Sequence, residues 1–357
     1  MIIVPYLNYT PKIDPSVTAQ RWTAVIGRAQ VGARTRLGEL VTLRADGETI
    51  DIGPDCWFGD MSTVHIADSV YPSSTGARVS VGRYGLVHAC AIAEDCVIGE
   101  HAVVMDGCQV GAGAVIAAES IVPPGKTLEG GWLYAGSPAR PVEQISKQRL
   151  ALFHQVLRNG GGGVEADLVR ARAYPLSALR HAAGTGVHEA DRAYIAPTAS
   201  LVGKVELAPS SSIWFSVEVD AGDARVILGP ASNIQDNSRV YGGAAGEDVR
   251  IGPRVTVGHN VRMEACVIEA NAIIGMGSII GKGTIVREGA VVAAASVTEP
   301  GTVVEAGMIW SGRPATAARP LSDENRAWFA RGVDVYVGYT EKYLRGASEQ
   351  RAASRTV

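Results

Sequence analysis

The chain has 357 residues, enough for two domains of ordinary size, and a formal net charge of −3 with its Lys and Arg scattered rather than clustered. That balance argues against a nucleic-acid footprint or an anionic-membrane surface. Five cysteines with no CxxC pair point to a reducing compartment, the cytoplasm, and 42 glycines against 4 phenylalanines predict strands and turns around a core of little bulk.

The opening segment MIIVPYLNYTPKID has neither the charged start nor the apolar run of a secretory signal, and no stretch approaches a membrane-spanning length. From Leu86 onward every sixth residue is aliphatic: Leu86, Ile92, Ile98, Val104, Val110, Ile116, Val122 and Leu128. A second ladder of small residues, Cys90, Cys96, Ala102, Cys108, Ala114 and Ser120, keeps the same register, so its cysteines read as buried small hydrophobes rather than a metal or redox site. A period of six matches neither the 3.6 of a helix nor the 2 of a simple strand. It matches a parallel β-helix, in which each six residues form a short strand and a turn around a triangular prism. Three such rungs complete a coil, so residues 18 apart stack on one face and consecutive rungs lie on adjacent faces.

After the first prism, residues 142–158 read as an amphipathic helix ended by Asn159 and four glycines. VEADLVRARAY and LSALRHAA read as short helices before a second prism that starts near Tyr194, and the aliphatic ladder returns at Ile268, Ile274, Ile280, Val286 and Val292. Past Pro320 a closing helix follows, with Ser322 as its N-cap. The expected organisation is a first β-helix domain at 1–158, a linker at 159–190 and a second β-helix domain at 191–357, each prism followed by a helix. His154, His181 and His188 belong to helical or linker segments, where a surface role is expected, and His101 sits in a coil turn with no chemical part.

The two prisms are copies of one segment. A constant offset of 176 carries Arg44 to Asp220, Gly53-Pro54 to Gly229-Pro230, Asp60 to Asp236 and Cys90 to Cys266, with no gap from residue 44 to 139. The copies differ where they are ionisable. VGHNVRMEAC (257–266) carries His259 and Glu264 where VGRYGLVHAC (81–90) has Arg83 and His88.

Both halves resemble the γ-class carbonic anhydrases and their relatives in the hexapeptide-repeat, left-handed β-helix superfamily. The matching stretches are LRAD (43–46), STVHIAD (62–68), VGRYGLVHAC and AGSPAR (135–140) in the first copy. In the second they are SIWF (212–215), NIQD (233–236), VGHNVRMEAC and SGRPA (311–315). The resemblance implies a trimer-like homo-oligomer of prisms with zinc or ferrous iron at an interface, held by three histidines, two from one prism and one from its neighbour. The matching positions are His65, His88 and Arg83 in the first copy, and Tyr241, Glu264 and His259 in the second. Neither copy has a full set, yet each ligand position keeps its histidine in one of them.

Spacing supports a composite site. His65 and His88 are 23 apart, one 18-residue coil plus five residues that the loop between them absorbs, so they can stack on one face, while His259 occupies an adjacent face of its own prism. Two imidazoles from one domain and one from the other would make a three-histidine site with an open fourth position. The reverse contact would set Tyr241 and Glu264 against Arg83, an ion pair in place of a metal. Arg44, which with Asp46 ties neighbouring prisms together in the family, and its sign-reversed counterpart Asp220 are expected at interfaces too. A ring of three cannot alternate two domain types, so the composition of the ring stays open. Gln235 matches a family glutamine near the reacting solvent, and Asp60 and Asp236 fall at one turn of both copies, where they act in catalysis or brace the turn.

The implied chemistry is activation of water for CO2 hydration, or Lewis-acid action on another small carbonyl or carboxylate substrate. Two other readings stand beside it: a hexapeptide-repeat acyltransferase with coenzyme A between prisms, and a non-catalytic assembly protein.

Overall fold

A computed structural model describes residues 1–159 and 186–354, with side chains described as far as residue 346 in the closing helix. The chain forms two compact units, Met1–Pro5 with Thr10–His181, and Tyr6–Tyr9 with Ala182–Val357. The two short helices expected in the linker, its four glycines and His181 lie outside the described residues. No helix among the described residues is long and apolar enough to cross a membrane.

In the first unit, two- and three-residue strands stack in parallel, coil on coil. Ser80–Val81 pairs with Val97–Ile98, which pairs in turn with Val115–Ile116. The faces of this prism are collected in a 12-stranded and an 8-stranded sheet, and the long strand Thr42–Ile52 rounds a corner to pair with Thr63–His65 at one end and Ser73–Thr75 at the other. The second unit repeats the plan with an 11-stranded and an 8-stranded sheet. These are tandem β-helices of mainly β structure, as the six-residue period predicts.

Each prism encloses its own core. Ile92, Ile98, Val104, Val110, Ile116 and Val122 are buried in the first, and Ile268, Ile274, Ile280, Val286 and Val292 in the second. Each buried aliphatic side chain contributes about 1.5–3 kcal/mol, so the ladder is the main support of the coil stack. The small-residue ladder is buried with it, and burial pushes the thiols of Cys96 and Cys266 up to about 12 and raises those of Cys56, Cys90 and Cys108. These cysteines are packing residues. At the corners stacked coils approach closely: a Cβ on Gly82 would lie 2.6 Å from the Glu100 nitrogen, and one on Gly258 2.7 Å from that of Met276.

Leu86 departs from the expected ladder. It pairs with Val103, while its neighbour Val87 stands between Val64 and Val104 in the core column. The corner after His88 turns through Ala89 at φ 50° and is one residue shorter than its neighbours, which shifts the register there.

The first helix, α1, spans Lys147–Arg158 rather than starting at 142, because Ala139–Gln144 is drawn into an antiparallel pair with Trp132–Gly136. Ser146 caps it by accepting the Arg149 N–H at 3.3 Å. The second, α2, runs Asp323–Ser354 and is capped as expected, Ser322 Oγ accepting the Asn325 N–H at 3.2 Å. Its Tyr336, Tyr339 and Tyr343 pack around Trp214 of the second prism. The offset of 176 reaches further than sequence identity does: Ala24–Val31 answers to Ser200–Leu207, and Lys147, the first residue of α1, to Asp323, the first of α2.

Candidate metal centre

The long strand of the first prism puts Arg44 beside His65, and the next coil puts His88 beside His65, so the three side chains share one face. His65 and His88 are buried. Their facing nitrogens, Nδ1 of His65 and Nε2 of His88, stand 3.2 Å apart. The outer nitrogens meet carboxylates: His65 Nε2 lies 3.3 Å from Asp46 Oδ1, and His88 Nδ1 lies 2.5 Å from Asp106 Oδ1. Arg44, wholly buried, donates to the other oxygen of Asp46 at 2.6 Å and holds that carboxylate in place.

This arrangement favours one pair of tautomers. With each outer nitrogen donating its proton to a carboxylate, both inner nitrogens present lone pairs to one another. In that protonation state a cation between the two nitrogens would be held by both lone pairs. Nitrogens bound about 2.05 Å from one tetrahedral ion lie about 3.3 Å apart, so the pair has the spacing of two zinc ligands. A ligating histidine whose other nitrogen is held by a carboxylate is the usual way such sites are oriented. The donor set fits a borderline divalent ion such as zinc or ferrous iron.

In the second unit, His259 follows Gly258 at a prism corner and is wholly buried. Its Nδ1 lies 3.1 Å from Asp236 Oδ2, and the Tyr336 hydroxyl of α2 lies 3.5 Å from Nε2. Asp236 also accepts the Phe215 N–H at 2.9 Å, and Asp60 accepts the Glu39 N–H at 2.9 Å at the same place in the first unit. Both aspartates therefore brace their turn, and Asp236 also stands beside a histidine. Gln235 is buried and donates to Asn233 Oδ1 at 3.2 Å, while its own Oε1 has no hydrogen-bond partner.

The remaining candidates are placed within their own units. Arg83 forms a forked pair with Glu100 at 2.8 and 3.3 Å. Asp220 accepts the Gly222 N–H at 2.9 Å. Tyr241 and Glu264 are register neighbours on one face, the positions of His65 and His88, and the Tyr241 hydroxyl lies 3.5 Å from the Arg239 guanidinium that also bonds Glu218 at 2.6 Å. His101 stacks on Tyr84, centroids 4.7 Å apart. His188 is exposed. His154 is not a surface residue as expected: half-buried on α1, it bonds Ser80 Oγ at 2.8 Å and lies 3.3 Å from the Asp95 carbonyl.

Two residues of the site escaped the sequence reading. Asp106 stands 18 residues after His88, but the short corner at Ala89 makes the register step there 17, from Leu86 to Val103, so the period alone points to Met105 instead. Tyr336 lies 77 residues beyond His259 on a helix, and no repeat marks it.

No protein-family model matches the chain. In fold it is similar to a solved structure from Desulfovibrio desulfuricans G20, provisionally named an acetyltransferase, with a TM-score of 0.55 over 95% of this chain and 84% of that one at 13% identity. That likeness is one of fold alone. Protein YrdA of Escherichia coli K12 is 33% identical over 156 residues, 42% of this chain and 85% of that protein. The mitochondrial γ-carbonic anhydrase 2 of Arabidopsis thaliana is 31% identical over 155 residues, 42% of this chain, which spans 56% of that relative's length. The chain belongs to the γ-carbonic-anhydrase-like family of hexapeptide-repeat proteins, written twice in tandem.

Proposed function

We propose that this protein is a metal-dependent enzyme of carbonic-anhydrase type with a composite centre, in which His65 and His88 of the first prism and His259 of the second hold one zinc or ferrous ion within a trimer-like packing of prisms. The observation that carries the reading is the buried pair His65 and His88, whose facing nitrogens stand 3.2 Å apart while a carboxylate lies beside each outer nitrogen. The complementary losses in the two copies point the same way, since each ligand position survives once.

A divalent ion on three neutral imidazoles supplies Lewis acidity, enough to bring the pKa of water from 15.7 to about 7 or to polarise a carbonyl. The chain's own residues do the rest. Asp46 and Asp106 hold the His65 and His88 rings with their lone pairs inward, and Asp236 orients His259. Gln235 offers its unpaired Oε1 as an acceptor for a hydroxyl proton, so it orients the nucleophile or the substrate. The substrate is CO2 or another small carbonyl or carboxylate compound.

Elemental analysis of the purified full-length protein, with a CO2 hydration assay before and after chelation, tests this. Stoichiometric metal is expected, with activity lost to chelator and restored by zinc or ferrous iron. Full metal content in His65→Ala, His88→Ala and His259→Ala would sink the composite centre. The competing reading is an acyltransferase, supported by the fold it shares with the acetyltransferase named above; it predicts acyl transfer from coenzyme A that survives chelation.

A further inference from the structure

A cleft of about 540 Å³ lies between the first turns of α2 and the adjacent face of the second prism. That volume is within the range of small-molecule sites, roughly 300–1,000 Å³. Its floor is apolar, with Ile273, Leu321, Phe329 and Val333, and its rim carries the guanidinium groups of Arg254 and Arg326 opposed by the one carboxylate of Glu288.

The first unit shows how such a space is normally closed. There α1 fills the equivalent position with Leu150, Phe153 and Leu157 over Val97 and Val115, and His154 bonds the prism through Ser80. At the offset of 176, Leu150 becomes Arg326, His154 becomes Ala330 and Leu157 becomes Val333. Each change removes packing volume or brings in charge. Leu150 lies over Gly113, and Arg326 lies over the matching Gly289 instead. The cations are released as well. In the first unit Asp95 grips Arg78 with two bonds of 2.6 and 2.7 Å. Asn271 replaces Asp95 in the second, and Arg254 keeps a single 2.9 Å bond to the exposed Asp334. Arg326 donates to the Leu321 carbonyl at 3.1 Å and has the exposed Asp323 at 3.5 Å.

We infer that this cleft is a binding site for a small anion with an apolar body, its carboxylate or phosphate forked between Arg254 and Arg326 and its body against Phe329 and Ile273. Forked guanidinium contacts suit both anions. The site lies wholly within the second unit and does not depend on the metal centre.

The test is calorimetric titration of the full-length protein with phenylpropionate, phenyl phosphate and the neutral phenylpropionamide. Saturable binding of one equivalent of an anion is expected, with the amide about tenfold weaker or more, because a charge-assisted bond is lost. The preferred headgroup tells carboxylate from phosphate. Arg326→Leu and Asn271→Asp install residues the first unit already tolerates, and each is expected to weaken the anion about tenfold with thermal stability unchanged. Equal affinity for anion and amide, unchanged affinity in Arg326→Leu, or no saturation below about 10 mM would overturn the inference.

Discussion

In the first prism one face carries Arg44, His65 and His88 in register, with Asp106 just beyond the paired strand of the next coil; the same positions of the second hold Asp220, Tyr241, Glu264 and Lys282. The second face satisfies itself with ionic contacts. Arg239 bonds Glu218 at 2.6 Å, and Lys282 bonds Glu247 at 2.7 Å. The first face instead sets the facing nitrogens of His65 and His88 3.2 Å apart, with the carboxylates of Asp46 and Asp106 beside their outer nitrogens. One scaffold, copied, can thus keep its coils and exchange a histidine pair for a self-neutralised face through a handful of substitutions.

Removing a ligand breaks this comparison most severely. His88→Ala or His259→Ala should abolish bound metal, read by elemental analysis, whereas Glu264→Ala on the self-neutralised face should leave metal content unchanged. Next come the parts the prisms share. Ile98→Ala and its counterpart Ile274→Ala should each cost about 2–5 kcal/mol in denaturant unfolding, because both empty a core column of the same build. Unequal losses would show that the copies differ in packing as well as in charge.

A subtler change tests the carboxylate brace. Asp106→Asn keeps shape but not charge, and should weaken metal binding about 10–100-fold in a competition titration while His88 remains in place. Asp46→Asn should act similarly, with an added cost from stranding buried Arg44.

The smallest effect concerns acid. Burial, chiefly, holds the His154 pKa below its ordinary value, with Arg158 adding to the shift. A depressed histidine contributes stability that is present above its unfolded pKa, about 6.5, and is lost as pH falls through the folded value. Half exposure to solvent keeps this to a few tenths of a kcal/mol. His154→Ala, which copies Ala330 of the second unit, should flatten the fall in urea midpoint between about pH 7 and pH 5.

The coil architecture was legible because its period is rigid: six residues to a rung leave a mark no other fold leaves. The same regularity made the stacking of His65 on His88 readable across 23 residues. Legibility failed where the period breaks. The short corner at Ala89 moved Leu86 out of the core column, and a two-strand hairpin took residues 142–144 from the expected helix. It failed again where elements of different period meet. Tyr336 reaches His259 from a helix, and His154 is recruited by the prism through Ser80, contacts that depend on docking rather than repetition.

Among the described residues, the main hydrophobic column of each half is built from that half's own side chains. The peptide linkage between them is therefore not required to complete either interior. What it secures is supply: every ribosome that makes a two-histidine half also makes a one-histidine half, in equal dose and at high local concentration, a tether that separate genes would have to imitate by balanced expression.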